Sequence, residues 1–358
     1  GCKAAMSITT GDDNIALGKE SGKAITSGAN NILLGKAAGV GQTNTSYNIF
    51  LGNCTGAAAG VGNQYYDNIG VGNSALRDLR YGIKNIAVGS EAFLKNVCGS
   101  CNVVIGHQAI SDSCLNHFGG RVSRTVAIGN CAGKILASSS SSCIYSNVLI
   151  GDGVGAASTI MLQSVLVGTD AGKCIGCGTN IAPQRNVAVG DQAMAYRTVG
   201  SGNVAVGFGA LLGNLHAVVG VTTANNNVAV GDYAALCIEN GTYNVALGQS
   251  SLCGLVDGWN NTALGNHALQ YLKNGGIQDV CNTGVGAYVG AALTEGISNV
   301  FLGSQAGSNK TSGNNNVAIG HYSQFPTATG NNELVIGVGG NYWLRGDSSY
   351  NICTQGNM

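Results

Sequence analysis

The sequence predicts an all-β chain wound as a parallel β-solenoid, a β-roll or β-helix of about 18 coils with a 17-residue repeat. Three observations carry that expectation. A pentad of the form "NVAVG" recurs along the chain, and its closing glycine stands at 18 places from Gly18 to Gly337. Eleven of the 17 intervals between those glycines are 17 residues, the other six are longer, and none is shorter. The composition agrees: Gly 58, Pro 2 and only 9% charged residues suit short aliphatic strands joined by tight corners.

In chain order, residues 1–13 precede the first pentad and read as an N-terminal connector. Residues 14–340 hold the repeats. The residue before the glycine is Leu, Ile or Val in all 18 copies, and the residue two before that is aliphatic in all but Thr262 and Thr283. Spacing by two means strand, and β-branched residues suit it. Asn usually stands four before the glycine, with a small residue, mostly Ala, on the same alternate face. The bulky aliphatic face is expected to fill the coil, and stacked asparagines to form amide ladders. A second apolar piece starts three after the glycine, as in Ala75-Leu76 and Ala210-Leu211, and a further glycine often follows ten after, as at Gly28 and Gly241. Rungs stacked at ~4.8 Å would build a rod of roughly 85 Å. A parallel sheet apolar on both faces needs cover on both, and this chain offers no helices for the purpose. Sister copies are the expected cover, in a homotrimer bundled about the rod axis and open to end-to-end assembly. Residues 341–358 break the pattern and read as a C-terminal cap, with Trp343 over the last rung and the "RGD" of Arg345 and Asp347 as part of that joint.

Six coils carry insertions, and loops on a rigid scaffold often bind. The segments Gln64 to Asp67, His117 to Arg124 and Leu215 to Asn225 are candidates, with Tyr65, Tyr66 and Trp259 as receptor contacts able to stack on a cell-surface glycan. Plain surface decoration is the competing reading.

Net charge is zero, from 17 cationic and 17 anionic side chains, so neither nucleic acid nor an anionic membrane surface is an expected partner. No apolar run is long enough to insert in a bilayer. "CGSC" at Cys98 and Cys101 and "CIGC" at Cys174 and Cys177 lie some five coils apart, too far to share one zinc. Near-repeat spacing instead puts Cys98 beside Cys114 and Cys237 beside Cys253, which makes these pairs disulfide candidates, with buried thiols as the alternative. "GDGVG" at Gly151 to Gly155 lacks the lysine and helix of a phosphate loop. Asp12-Asp13 is the only adjacent carboxylate pair, and His107, His117, His216, His267 and His321 form no paired motif. The expectation is therefore a non-enzymatic chain without cofactor or metal. Five N-x-[ST] sites, at Asn44, Asn53, Asn240, Asn260 and Asn309, leave glycosylation open.

The units "NNVAIGHYS", "NVFLGSQAG" and "NILLGKAAG" resemble the tandem repeats of trimeric autotransporter adhesin heads and of phage and giant-virus fibre proteins. The stretch "ELVIGVGGNYWLRGDSSYNI" resembles the closing segment of marine phage fibres. The resemblance spans about Asn14 to Gly337. It implies a β-roll fibre on a virion surface or in an extracellular setting, spacing and displaying attachment elements. A secreted adhesin or filament subunit is the alternative. The adhesin heads repeat at a shorter period, and thirteen cysteines are more than such proteins carry.

Overall fold

The computed structural model describes residues 1–58, 65–112, 121–134, 143–158, 161–176, 183–196, 200–213, 224–273 and 280–354. They fall into two compact units, Gly1–Arg185 and Asn186–Met358. Both are parallel β-solenoids, and no helix occurs among the described residues.

In the first unit nine three-residue strands form the rungs: Ile15–Leu17, Ile32–Leu34, Ile49–Leu51, Ile69–Val71, Ile86–Val88, Val103–Ile105, Val126–Ile128, Val148–Ile150 and Val165–Val167. Each pairs in parallel with the next, so eight turns close between them. The second unit repeats this with Val187–Val189, Val204–Val206, Val228–Val230, Val245–Leu247, Thr262–Leu264, Thr283–Val285, Val300–Leu302, Val317–Ile319 and Leu334–Val338. Insertions leave the register untouched: Val204 lies on Val228 across a 24-residue interval. The pentads therefore mark every rung.

The inside of the coil is the reverse of the expectation. From the second rung on, the middle strand residue is buried and the aliphatic residues on either side of it face outward. The reason is the asparagine four before the glycine. Strand alternation puts it on the same face as the middle residue. Its amide needs partners, and the coil interior supplies them. Asn244 Nδ2 donates to Asn227 Oδ1 at 3.0 Å and to Gly258 O at 2.8 Å, and Asn244 Oδ1 accepts from Asn261 N and Nδ2. Buried amides so fully bonded fix the face, and the Ile, Val and Leu neighbours must point out.

The interior is filled by exchange between two positions. Where the middle rung residue is Leu or Phe, the residue four after the glycine is Gly, as in Leu33/Gly39, Phe50/Gly56, Leu149/Gly155, Leu166/Gly172 and Phe301/Gly307. A Cβ on Gly56 would lie 2.5 Å from the Phe50 ring, and one on Gly172 equally close to Leu166. At six of the rungs whose middle residue is Ala or Gly, a large side chain enters from the turn, as in Gly70/Leu76, Ala87/Phe93, Ala188/Met194 and Ala263/Leu269, whereas Ala16/Gly22, Ala127/Gly133 and Gly284/Gly290 are small at both places. At the exchanging rungs one wall or the other therefore supplies the volume that close packing needs.

Two constraints explain the pentad's glycine. From Gly18 to Gly320 its φ lies between +115° and +142°, which side chains avoid, and a Cβ on Gly18 would meet the Gly35 carbonyl at 2.4 Å. Other corners are left-handed without glycine. Two after the glycine stand Glu20 (φ 60°), Ala37 (56°) and Tyr288 (54°), and five before it Tyr47 (60°), Lys84 (57°) and Arg124 (52°). An N–H bond to the preceding coil holds each class in place, as in Ala37 N to Lys19 O (2.8 Å) and Tyr47 N to Ala29 O (3.1 Å). These bonds offset the ~1–2 kcal/mol cost of a left-handed residue.

Residues 1–13 do more than connect: Gly1, Lys3 and Ala5 stand one repeat before Gly18, Glu20 and Gly22, and Ala5 N donates to Ser21 O at 2.9 Å. At the other end Leu334–Val338 pairs antiparallel with Asn341–Gly346, which pairs antiparallel with Ile352–Thr354. Gly339 and Gly340, both at positive φ, make the reversal. Trp343 does not cover the last rung. It is 66% exposed, because the meander closes the sheet edge through backbone pairing and strand alternation turns the indole outward.

Candidate functional site

Two surface features of the described residues stand apart from the repeat's uniform polar corners. The first is the outward aliphatic stripe. Ile86, Ile105, Ile150 and Val165 in the first unit, and Val189, Val230, Leu247 and Val285 in the second, are all more than a third exposed. Each rung turns two flanking residues outward, aliphatic except at Thr262 and Thr283, so each unit carries a band of branched aliphatics along its rungs. Single exposed aliphatics are ordinary on soluble proteins, whereas a contiguous band marks a contact surface.

The second is a groove of about 640 Å³ in the first unit. Its floor is the residue six before the glycine on five successive rungs: Tyr66, Ile83, Ser100, Ser123 and Tyr145. Tyr81 and Cys98 flank one side, Cys101 and Arg124 the other, and Gly82 and Gly99 leave the floor at backbone level. Ser100 Oγ accepts from Ile83 N at 3.2 Å and Ser123 Oγ from Ser100 N at 3.3 Å, so the floor is laced by the hydroxyls. A smaller depression of about 450 Å³ lies on the other side of Tyr66, beside Tyr47 and Asp67.

The candidate receptor residues separate in this frame. Tyr66 lines both depressions. Tyr65 borders the smaller depression, but its side chain is buried against Phe50 at 6.0 Å between ring centroids, and its hydroxyl has no hydrogen-bond partner among the described residues. Burial pushes the Tyr65 phenol far above its usual pKa. Trp259 sits half-buried in the second unit with Nε1 donating to Asn240 O at 3.3 Å. Gln64, residues 117–120 and residues 215–223 of the candidate loops lie outside the described residues, as do Cys114, Cys177, His117 and His216. Cys98 therefore has no described counterpart at position 114, while its motif neighbour Cys101 shares the groove wall. Cys237 and Cys253 are both thiols, and burial, then the nearby Cys237, raises the Cys253 pKa.

Near the C-terminus Arg345 and Asp347 serve the meander. Asp347 accepts from Asn351 Nδ2 at 3.0 Å and from Ser349 N and Asn351 N, which holds its carboxyl below the usual range, and the Arg345 guanidinium lies 5.8 Å from the Tyr342 ring centre. One feature escaped the sequence reading. Glu333 takes the last place in the asparagine column, and its carboxylate meets Lys310 Nζ at 2.7 Å and Thr327 Oγ1 at 2.8 Å. Lys310 is fully out of solvent, 4.6 Å from the Phe325 ring centre. Burial lowers its pKa against the pull of Glu333. The amide ladder thus ends in an ion pair. The clue was present in the sequence as "NNEL" where every other unit has Asn, Thr or Ser.

Among the described residues no group of three His, Cys, Asp or Glu is placed to hold a metal ion. Comparison with family models, with curated proteins and with solved structures finds no match.

Proposed function

We propose that the chain is a structural fibre segment of a virion or phage tail, a homotrimer whose work is mechanical: it spaces and displays host-attachment elements. The outward aliphatic stripe carries the reading. A fold whose interior is already closed by its own Leu, Phe, Ala and Asn side chains, and which still turns a band of Ile, Val and Leu outward, is a fold whose outer face is meant to be covered. A second copy supplies the same stripe at the same rung spacing, and a closed threefold bundle covers all copies alike. The pentad resemblance to fibre and adhesin repeats points the same way. A secreted adhesin would use the same stripe; capsid and tail genes beside the coding sequence favour the fibre, secretion genes the adhesin.

The test is the mass of the purified chain by light scattering, with electron microscopy of the same fractions. Three times the 36.0 kDa chain, in uniform rods, is expected. A single-chain mass at micromolar concentration overturns the proposal.

A further inference from the structure

The geometry points to the tyrosine groove of the first unit as a binding site for an acidic polysaccharide lying along the coil stack. This rests on the attachment half of the fibre reading and not on its assembly half.

Shape comes first. The rings of Tyr66 and Tyr145 bracket three shorter side chains, Ile83, Ser100 and Ser123, over four rung spacings. That makes a slot of ~19 Å at the strand spacing of ~4.8 Å. A hexose ring in a glycan chain advances by a distance comparable with one rung, so each sugar meets an equivalent place on the floor. An extended peptide is not the fit: carbonyls of the floor already accept from the next coil, as in Lys84 N to Tyr66 O at 3.2 Å, Cys101 N to Ile83 O at 3.0 Å and Arg124 N to Ser100 O at 3.0 Å, so they are not free for strand addition.

Chemistry comes second. Tyr66 and Tyr81 are well exposed, and such ring faces receive the C–H faces of sugars. The hydroxyls of Ser100 and Ser123 accept from the backbone and keep their own protons for a ligand oxygen. Among the described side chains of the lining Arg124 is the only charged one, and it takes part in no ion pair among the described residues. Lys84 stands two rungs away in the same corner column, and Asp67 one rung beyond it. A guanidinium left unpaired beside sugar-sized aromatic walls matches a uronate carboxylate, which it binds with two parallel hydrogen bonds. The corner residue five before each glycine separates this floor from the aliphatic stripe, so assembly through the stripe leaves the groove open.

The experiment is titration calorimetry of the full chain with tetragalacturonate and, at equal length, neutral galactotetraose. Saturable binding of the uronate is expected, with the neutral sugar weaker by about tenfold or more. Arg124→Gln should lose about the same factor and Tyr145→Ala a comparable one, while Arg345→Gln, outside the groove, leaves affinity unchanged. Circular dichroism of each variant separates lost binding from lost fold. No heat with the uronate, equal affinity for both sugars, or an equal loss in Arg345→Gln overturns the inference. A trimeric mass with no heat would sink the groove alone; heat from a monomer would sink the assembly alone.

Discussion

The two units are wound from one coil, yet their asparagine columns differ. In the second unit the column runs unbroken through Asn186, Asn203, Asn227, Asn244, Asn261, Asn282, Asn299 and Asn316 before Glu333 ends it. In the first it runs from Asn14 to Asn102, then meets Thr125 and Ser164. There the hydroxyls turn back on their own strand, Thr125 Oγ1 to Ser123 O at 3.3 Å and Ser164 Oγ to Leu162 O at 3.1 Å. Each amide donates to and accepts from neighbouring coils, whereas these two hydroxyls donate within their own. The fold therefore tolerates gaps in the ladder as long as the glycine register and the interior volume are kept. What the unbroken column adds is coupling between turns.

The comparison breaks most sharply at the ladder itself. Asn244→Leu removes four hydrogen bonds from the second unit and should cost about 4 kcal/mol at ~1 kcal/mol for each. Thr125→Val in the first unit removes one and should cost about 1 kcal/mol. Urea unfolding of the two variants measures the ratio. Equal losses would mean that the column does not couple the turns.

The interior offers a slightly smaller effect and a rescue. Phe50→Ala should lose about 3–4 kcal/mol through the cavity it opens, and Gly56→Leu about 1–3 kcal/mol through overpacking. Together they rebuild in the first unit the Ala263/Leu269 arrangement of the second, and the double variant should come within ~1.5 kcal/mol of the parent. Leu76 already holds the same left-handed corner at φ 54°, so the backbone accepts the change. Additive losses would refute the exchange of volume between the two walls.

The smallest effect sits at Tyr65. Removing its buried hydroxyl, which has no partner among the described residues, in Tyr65→Phe should gain about 1 kcal/mol at neutral pH. The raised phenol pKa sets the sign with pH. Stability is intact below the unfolded tyrosine value of ~10 and is lost as pH rises above it. The melting temperature of the parent should fall from pH 9 to 11 more steeply than that of Tyr65→Phe; parallel curves would contradict the burial.

Much of this was legible in the residues. The glycine spacing placed all the rungs, and the recurrent asparagine announced its ladder. The inside and outside were not legible from hydrophobicity, since alternation defines two faces without naming the inner one, and the greasier face looked like core. The deciding fact was in the pattern all the same: asparagine shares its face with alanine, and a buried amide column needs the coil's carbonyls. The left-handed corners at Tyr47, Lys84 or Glu20 leave no local trace because bonds between coils hold them. The groove was hidden by insertions, which scatter Tyr66, Ser100 and Tyr145 in the sequence although they share one column.

The most direct measurement compares outward and inward charges in the second unit, by sedimentation equilibrium and far-UV circular dichroism. Val230→Glu with Leu247→Glu should keep the β signal and reduce the mass to one chain, while Ala229→Glu with Ala246→Glu should unfold the coil. An outward pair that unfolds the chain, or that leaves the wild-type mass in place, would contradict the account.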